Sequence, residues 1–301
     1  MYDVIIVGGG PAGLSAAIYA SRARLKTLLI EKNGCGGKIT ITNLLENYPG
    51  FNGGVNGFEL AVKLETQARG FGAEIIYDEV TSIKNKSVKK IMTKNSTYEA
   101  KTVIIASGTN LKKMNIQGEK AFIGRGISFC ATCDAPFYRG KDVLVIGGGD
   151  SAVQEAIYLA KFAKNVTIVH RRNELRAVKI LQDKMLSCSN ISVIYNSVPK
   201  EIVGKDFIEK VIITNVKTNE VKSLKIDGVF VFIGFIPNNS FLADIAIDEN
   251  RYIVTDENMK TSILGIFASG DIRKKQLRQV VTAAADGAQA AVSVQYYLEN
   301  L

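Results

Sequence analysis

The chain has 301 residues, 47% of them hydrophobic and 22% charged, with 27 glycines and 5 prolines. This composition excludes disordered, collagen-like and coiled-coil proteins, and the length predicts two domains of roughly 150 residues. The net charge of +9 favours acidic or phosphorylated partners, whereas the absence of tryptophan argues against an aromatic, basic nucleic-acid interface.

The sequence shows no sign of export or of membrane insertion. No apolar run approaches the roughly 20 residues that span a bilayer, and the N-terminus lacks the basic segment of a signal peptide. We therefore expect a cytoplasmic protein that contacts neither a membrane nor nucleic acid. In that compartment the four cysteines are expected to be thiols rather than a disulfide framework.

The first predicted elements form a strand–turn–helix–strand unit. An apolar strand at 4–7 is followed by a glycine-rich turn at 8–13, a helix at 14–23 and a second strand that ends at Glu31. The turn has the spacing G-x-G-x-x-G, and Glu31 lies 23 residues after Gly8 (31 − 8 = 23). In this context the turn is predicted to bind the pyrophosphate of a dinucleotide and the acid its ribose; an ordinary tight turn is the alternative.

The same pattern returns 139 residues further along the chain (147 − 8 = 139). Gly8-Gly9-Gly10 matches Gly147-Gly148-Gly149, and Ala17-Ile18-Tyr19 matches Ala156-Ile157-Tyr158. Two such units predict two dinucleotide sites in one chain, unless the second copy has decayed into a scaffold.

The second unit differs at the position of the ribose-binding acid. His170 stands there (31 + 139 = 170), and Arg171, Arg172 and Arg176 follow it. Guanidinium groups bind a 2′-phosphate that a carboxylate would repel, so this unit is predicted to bind NADP and the first a cofactor with a free adenosine ribose. A solvated strand end is the alternative. Because His170 is the only histidine, neither a histidine-based triad nor a metal site is expected.

A short segment before the second unit has the sequence Cys130-Ala131-Thr132-Cys133-Asp134. The spacing lets two sulfurs meet and lowers the pKa of one thiol, which favours dithiol–disulfide exchange. Half of a zinc site is the alternative, but Cys35 and Cys188 form no second pair. Asp134 is a candidate proton donor or acceptor for the departing thiolate, or else a helix cap or a solvated acid.

Together these motifs resemble the low-molecular-weight, bacterial-type NADPH-dependent thioredoxin reductases, which belong to the FAD/NADP pyridine nucleotide-disulfide oxidoreductases. Further blocks that match in family order are Glu46-Asn47-Tyr48-Pro49-Gly50, Ala106-Ser107-Gly108, Ala268-Ser269-Gly270-Asp271 and Arg278-Gln279. The resemblance implies an α/β fold with two dinucleotide-binding, Rossmann-like three-layer domains. An NADPH domain at 114–241, carrying the cysteine pair, would be inserted into an FAD domain formed by 1–113 and 242–301.

The resemblance also implies a reaction, in which electrons pass from NADPH through FAD and a Cys130–Cys133 disulfide to thioredoxin. Cys133 would face the flavin, Cys130 would exchange with thioredoxin, and Asp134 would be the acid–base group of a homodimeric enzyme. The implied FAD contacts are Gly8, Gly10, Pro11, Ala12, Gly13, Glu31, Lys32, Gly36, Gly37, Lys38, Asn47, Val80, Ser107, Gly108, Gly270, Asp271, Arg278, Gln279 and Val280. The implied NADP contacts are Gly147, Gly149, Asp150, Ser151, Ala152, His170, Arg171, Arg172 and Arg176.

Three positions depart from the family pattern. Lys38 replaces the usual glutamine, Ala135-Pro136 replaces the usual Gly-Phe, and Arg273-Lys274-Lys275 adds charge without an evident purpose.

Other redox functions are alternatives. A ferredoxin-dependent flavin thioredoxin reductase would not need the second nucleotide unit, and a ferredoxin–NADP reductase would have no use for the cysteine pair. A reductase of another small redox protein, or a flavin-bound sensor without turnover, would use the same motifs.

Overall fold

A computed structural model of the chain describes residues 1–42 and 44–301, except for the side chains of Leu111 and Cys133. Strands and helices alternate along it. The strands are β1 (Tyr2–Val7), β2 (Thr27–Glu31), β3 (Glu74–Tyr77), β4 (Val80–Lys84), β5 (Lys89–Thr93), β6 (Thr97–Ile105), β7 (Thr109–Leu111), β8 (Ile127–Ser128), β9 (Asp142–Gly147), β10 (Asn165–Val169), β11 (Ile191–Ile194), β12 (Ser197–Gly204), β13 (Ile208–Asn215), β14 (Val221–Lys225), β15 (Gly228–Phe232), β16 (Phe235–Pro237) and β17 (Ile266–Ala268). The helices are α1 (Pro11–Arg22), α2 (Gly57–Gly70), α3 (Glu119–Phe122), α4 (Ala131–Asp134), α5 (Asp150–Leu159), α6 (Lys179–Leu186) and α7 (Val280–Glu299). Short 3₁₀ helices cover Gly37–Ile41, Ala135–Tyr138 and Gly270–Ile272.

The chain divides into two units, and one of them is discontinuous in sequence. Met1–Asn110 and Ile236–Leu301 form the first unit, and Leu111–Phe235 forms the second. The short strands β7 and β16, through which the chain passes from one unit to the other and back, pair with each other.

The first unit is built on one mixed sheet with the strand order β3-β2-β1-β6-β5-β4, and β17 pairs with β6. Strands β1, β2, β3, β6 and β17 run parallel, and β4, β5 and β6 form an antiparallel meander. Both faces of β1 are covered: Val4 and Ile6 pack in the cluster that includes α1 and α7, and Ile5 and Val7 pack in the cluster on the other face. A strand buried on both faces reads as a continuous apolar run, which is what the sequence shows.

The second unit repeats this plan with a parallel sheet in the order β11-β10-β9-β15-β8, beside an antiparallel sheet of β12, β13 and β14. Helix α5 follows β9 as α1 follows β1, so the predicted α/β class with two dinucleotide-type sheets is confirmed. Ala131 and Ala135 pack with Ala152 and Val153 in one core cluster. The segment with the cysteine pair therefore rests on the helix that follows the second glycine turn.

Candidate cofactor and redox sites

The first glycine turn joins β1 to α1 and is closely packed at two of its glycines. An added Cβ at Gly8, where φ is +107°, would lie 2.5 Å from the Ala106 carbonyl oxygen, and one at Gly13 would lie 1.8 Å from the Gly8 carbonyl oxygen. At Gly10, the N-cap residue of α1, an added Cβ would meet no heavy atom within 4 Å. The backbone at Gly10, at the start of α1, therefore borders open space, as the binding of a cofactor phosphate at this helix N-terminus requires.

Glu31 lies at the end of β2, beside this turn. Its Oε2 accepts a hydrogen bond from Gly9 N at 2.6 Å, and its Oε1 accepts one from Asn33 N at 3.0 Å. The carboxylate thereby fixes the turn, and each oxygen keeps acceptor capacity for a ribose hydroxyl.

Two other expected FAD contacts lie at the end of β2 and at the start of β4. Lys32 follows Glu31 and pairs with Glu79, with 2.6 Å between Nζ and Oε1. Val80, the first residue of β4, is half-buried and packs against the core cluster on the face of the sheet opposite α1. Lys32 is thus held by a carboxylate of its own unit.

Cys35 lies against the first glycine turn, since an added Cβ at Gly9 would be 3.0 Å from its Sγ. Burial raises the pKa of the Cys35 thiol to about 12, and the negative charges of Glu65 and Glu31 add to this effect. Because the thiolate is the reactive form, we expect Cys35 to react slowly despite its place beside the turn.

Lys38 connects three segments next to the first glycine turn. Its Nζ donates a hydrogen bond to Asp271 Oδ2 at 2.9 Å and another to Thr109 Oγ1 at 2.8 Å. The structure thus brings Lys38 and Asp271, both expected at FAD, into direct contact. Gly36, two residues earlier, packs against Ala61 of α2, where an added Cβ would approach to 2.5 Å.

The turn that follows β6 holds two further expected contacts. Ser107 Oγ donates to the Asn238 carbonyl oxygen at 2.7 Å, and Asn238 N donates to the Gly108 carbonyl oxygen at 3.0 Å. Because β6 is parallel to β1, this turn lies at the same edge of the sheet as the first glycine turn.

The start of α7 collects the remaining residues expected at FAD. Asn47 Nδ2 donates to Gln279 Oε1 at 3.1 Å, and Val280 begins the helix. The Arg278 guanidinium lies 3.9 Å from the centroid of the Tyr252 ring, and its buried Nε has no hydrogen-bond partner within the described structure. These contacts join segments that are far apart in sequence.

A buried ion-pair network beside this helix was missed by the sequence analysis. Asp286 of α7 accepts hydrogen bonds from Arg273 Nη1 at 3.0 Å, Lys275 Nζ at 2.7 Å and Gly270 N at 3.0 Å. All three charged side chains are at most 13% exposed. Arg273 and Lys275 of the charged run therefore neutralise a buried carboxylate. The available signal was an aspartate within a helix rich in alanine and valine.

The second glycine turn, like the first, borders open space at its third glycine. An added Cβ at Gly147 would lie 2.5 Å from a carbonyl oxygen of β15, and one at Gly148 would lie 2.2 Å from His170 Nδ1. At Gly149, the N-cap residue of α5, an added Cβ would again meet nothing within 4 Å. The N-terminus of α5 is therefore open to a phosphate in the same way as that of α1.

Asp150 fixes the segment that carries the arginines. Its Oδ1 accepts a hydrogen bond from Val178 N at 2.8 Å, and Arg176 N donates to the Gly148 carbonyl oxygen at 2.6 Å. Ser151, in the first turn of α5, is exposed beside them. The glycine turn and the arginine segment thus form one hydrogen-bonded surface.

His170 and the three arginines occupy different environments. The His170 side chain is buried, and desolvation lowers its pKa; the charges of Arg176, Arg172 and Arg171 lower it further, against a hydrogen bond with the Gly147 backbone. The three arginines are exposed, and none of their guanidinium groups forms an ion pair with another described residue. The arginine side chains are therefore accessible to a ligand, whereas the His170 imidazole packs against Gly148.

The redox segment is organised around Cys130, which is in a disulfide. The buried Ser128 Oγ accepts a hydrogen bond from Cys130 N at 3.0 Å and donates one to the Cys130 carbonyl oxygen at 3.1 Å. The Cys130 Sγ lies 3.4 Å from Thr132 Oγ1, and Asp134, at the end of α4, is half-buried. The expected roles of Cys133 fall on a side chain outside the described part of the structure.

Glu155 of α5 is a second residue that the sequence analysis missed. Burial raises the pKa of its carboxyl to about 7. Its Oε2 is buried and has no hydrogen-bond partner among the described residues. The available signal was a glutamate one turn after Ser151, followed directly by the apolar residues Ala156 and Ile157.

Two further observations concern metal ions and membrane-spanning helices. Within residues 1–42 and 44–301, no group of three or more histidine, cysteine, aspartate and glutamate side chains could hold a metal ion. Among the helices of the described chain, none is both long and apolar enough to cross a membrane.

Comparison with known proteins places the chain among flavin-dependent reductases. A family model described as pyridine nucleotide-disulphide oxidoreductase matches residues 2–287. Thioredoxin reductase of Treponema pallidum (strain Nichols) is 48% identical over 301 residues, which cover 100% of this chain and 98% of the relative. Thioredoxin reductase of Bacillus subtilis (strain 168) is 46% identical, with 100% and 96% covered. The crystal structure of Lactococcus lactis thioredoxin reductase matches with a TM-score of 0.98 at 44% identity, over 100% of both chains.

Proposed function

The chain belongs to the pyridine nucleotide-disulphide oxidoreductase family, and from this premise we propose that it is an NADPH-dependent flavoprotein that reduces the disulfide of thioredoxin. The observation that carries the proposal lies within the second unit. That unit holds the disulfide at Cys130, an open glycine turn and three exposed arginines with no ion pair inside the described structure. A site for a nucleotide reductant and an internal disulfide that can exchange with a protein substrate are the two features such a reaction needs.

The first unit supplies the FAD site. The open amides at the N-terminus of α1 bind the diphosphate, and Glu31 accepts hydrogen bonds from the adenosine ribose. Lys38, Asp271, Asn47 and Gln279 lie on the segments that line the rest of the cofactor. When bound, FAD accepts a hydride from NADPH and passes the electron pair to a protein disulfide, chemistry that no side chain of this protein supplies.

The second unit selects the reductant. The N-terminus of α5 binds the NADPH diphosphate, and Arg171, Arg172 and Arg176 bind the 2′-phosphate with charged hydrogen bonds. NADH lacks that phosphate and would leave three guanidinium groups without a ligand.

Cys130, Cys133 and Asp134 perform the exchange with the protein substrate. We assign Cys133 as the disulfide partner of Cys130. After two-electron reduction of this disulfide, the Cys130 thiolate attacks the thioredoxin disulfide and one thioredoxin sulfur leaves. Asp134 gives a proton to the departing thiolate, and the Cys133 thiolate then attacks the mixed disulfide, which restores the internal disulfide and releases reduced thioredoxin. Ser128 holds both backbone groups of Cys130 in place during these steps.

A homodimer and a cytoplasmic location belong to the same proposal. The family resemblance implies the homodimer, and a reducing compartment keeps the cysteine pair available for reduction. Light scattering of the purified protein checks the dimer.

An anaerobic titration tests the proposed function. NADPH should bleach the flavin absorbance of the purified protein, and oxidised thioredoxin should restore it with one thioredoxin disulfide reduced per NADPH. Reduced ferredoxin serves as the comparison donor, since a ferredoxin-dependent enzyme would be reduced by ferredoxin and not by NADPH. A flavin that NADPH leaves oxidised, or a reduced flavin that thioredoxin leaves reduced, would defeat the proposal.

A further inference from the structure

Lys38 lies where two segments that contact the first glycine turn meet. An added Cβ at Gly37, the preceding residue, would be 3.4 Å from a Cα of that turn. Gly270, which precedes Asp271, packs against the first turn of α1, where an added Cβ would approach a side chain to 2.7 Å. The Lys38–Asp271 ion pair, with 2.9 Å between Nζ and Oδ2, therefore bridges both segments beside the open N-terminus of α1.

The ammonium group of Lys38 is held from two sides. Besides Asp271, its Nζ contacts Thr109 Oγ1 at 2.8 Å. The side chains of Lys38 and Asp271 are 37% and 19% exposed. The pair is therefore partly desolvated, which strengthens its electrostatic effect, but it is still within reach of dissolved salt.

The charges of this ion pair affect the binding of an anionic ligand at the first glycine turn. A carboxylate at 271 without a cation would repel a diphosphate at the N-terminus of α1, where the helix dipole attracts it. With Lys38 in contact, the pair is neutral and that repulsion is cancelled. Glutamine at 38 would keep a similar side-chain length but leave the carboxylate uncompensated.

We propose that Lys38 is a positioning residue for FAD: it orients the Asp271 carboxylate and cancels its charge beside the cofactor diphosphate. This inference rests on the proposed function, because it requires FAD at the first glycine turn. It assigns a purpose to the residue that departs from the family pattern.

The test measures FAD release from the full-length flavoprotein, as the rise of free flavin fluorescence on dilution. Lys38→Gln should raise the FAD dissociation constant about tenfold at low salt, and the difference should shrink at high salt because the pair is partly exposed. Lys38→Arg keeps the cation and should restore the affinity. Lys63→Gln is the matched control, since it removes an exposed lysine that pairs with Glu59 on α2 of the same unit.

A double-mutant cycle separates charge compensation from a structural role. In an Asp271→Asn background, Lys38→Gln should change the dissociation constant less than about twofold, because the charge it compensates is already gone. Three results would overturn the inference. Lys38→Gln could weaken FAD binding equally in both backgrounds, or its effect could be independent of salt. The melting temperature of the FAD-saturated protein could also fall as much in Lys38→Arg as in Lys38→Gln. If the wild type binds FAD and Lys38→Gln binds it with the same affinity, this inference is wrong and the proposed function is unaffected. A wild-type protein that binds no FAD defeats the proposed function as well.

Discussion

The imidazole of His170 lies directly against Gly148, where an added Cβ would be only 2.2 Å from Nδ1. In the first unit the equivalent glycine, Gly9 (148 − 139 = 9), is held by a different device, a hydrogen bond from its N–H to Glu31 Oε2 at 2.6 Å. Glu31, the last residue of β2, and His170, which directly follows β10, thus support the middle glycines of the two turns, one by a hydrogen bond and the other by packing. A buried ring can replace a carboxylate here if, as we propose, the arginines beside it contact the ligand.

Gly148→Ala should distort the second glycine turn. The added methyl group meets the ring of His170, which is 4% exposed and has no room to retreat. Overpacking of this kind costs about 1–3 kcal/mol. We expect a lower melting temperature and a loss of NADPH affinity, with FAD still bound because the first unit is unchanged.

Gly149→Ala is the paired control, because its added Cβ meets nothing within 4 Å. This variant should keep the melting temperature of the wild type, yet bind NADPH more weakly, since the methyl group would occupy the approach of the diphosphate. Calorimetric titration with NADP⁺ and thermal melts of both variants check the pair. Equal melting temperatures for the two variants would contradict the packing role of Gly148.

Local sequence patterns were sufficient to predict the glycine turns, their strand–helix context and the repeat, because each depends on residues within about 30 positions. The prediction that the second unit binds NADP also came from one position, 170, and its neighbours. The burial of His170 was not predictable from that pattern. It depends on how Gly148 and the residues after β10 pack in three dimensions.

Contacts between residues far apart in the sequence could not be predicted from local patterns either. Asp286 is 13 residues from Arg273 (286 − 273 = 13), and nothing local shows that the two side chains meet. Lys38 and Asp271 are separated by 233 residues. Tertiary packing alone brings these pairs together, which is why the sequence showed the charges at 273–275 without their purpose.

Removing the Asp286 carboxylate should destabilise the first unit strongly. Asp286→Asn leaves the buried cations of Arg273 and Lys275 without a counter-charge, and breaking a buried pair in this way costs about 3–5 kcal/mol. Arg273→Gln should cost less, because Lys275 still neutralises the carboxylate. Thermal unfolding of the FAD-bound protein measures both. Glu59→Gln, at the exposed pair with Lys63, should cost about 0–1 kcal/mol, and a similarly small effect for Asp286→Asn would contradict the network.

Glu155 should make the protein less stable as the pH rises through neutrality. Burial raises the pKa of its carboxyl from 4.5 to about 7, so between these values the folded protein holds a proton that the unfolded chain has released. The free energy of unfolding therefore falls as the pH rises through this window. Glu155→Gln removes the cost of the buried charge and should stabilise the protein by about 2–3 kcal/mol at about pH 8, with little effect at about pH 5.

Melting temperatures of Glu155→Gln and wild type at both pH values check this difference. Glu209→Gln, which neutralises an exposed carboxylate of the same unit, should show no such pH-dependent gain. Stabilisation by Glu155→Gln that is equal at both pH values would mean that packing, and not charge, is responsible.

Cys35 and Cys188, the free cysteines among the described side chains, should differ in their reaction with iodoacetamide. The pKa of Cys35 is raised to about 12 by burial, so its thiolate is scarce at neutral pH. Cys188 follows α6 and is only partly buried, and its Sγ contacts the Lys184 carbonyl oxygen at 3.5 Å. We expect the native, oxidised protein to be labelled at Cys188 and to resist labelling at Cys35 until it unfolds. Peptide mass mapping identifies the site, and Cys188→Ser should leave the native protein unlabelled. Rapid labelling of native Cys35 would contradict its burial.

Replacing the exposed arginines of the second unit should change the preference between NADPH and NADH. Each charged hydrogen bond to the 2′-phosphate contributes about 1.5–3 kcal/mol, so Arg171→Gln or Arg172→Gln should raise KM for NADPH about 10- to 100-fold. KM for NADH should stay within about twofold of the wild-type value, because NADH has no phosphate at that place.

Arg139→Gln is the matched control. This exposed arginine of the same unit lies over the Phe162 ring, at 5.5 Å from its centroid, and its loss should leave both KM values unchanged. Steady-state kinetics with both nucleotides and thioredoxin measure the effect. Equal use of the two nucleotides by the wild type, or parallel losses with both in the variants, would show that these guanidinium groups do not read the 2′-phosphate.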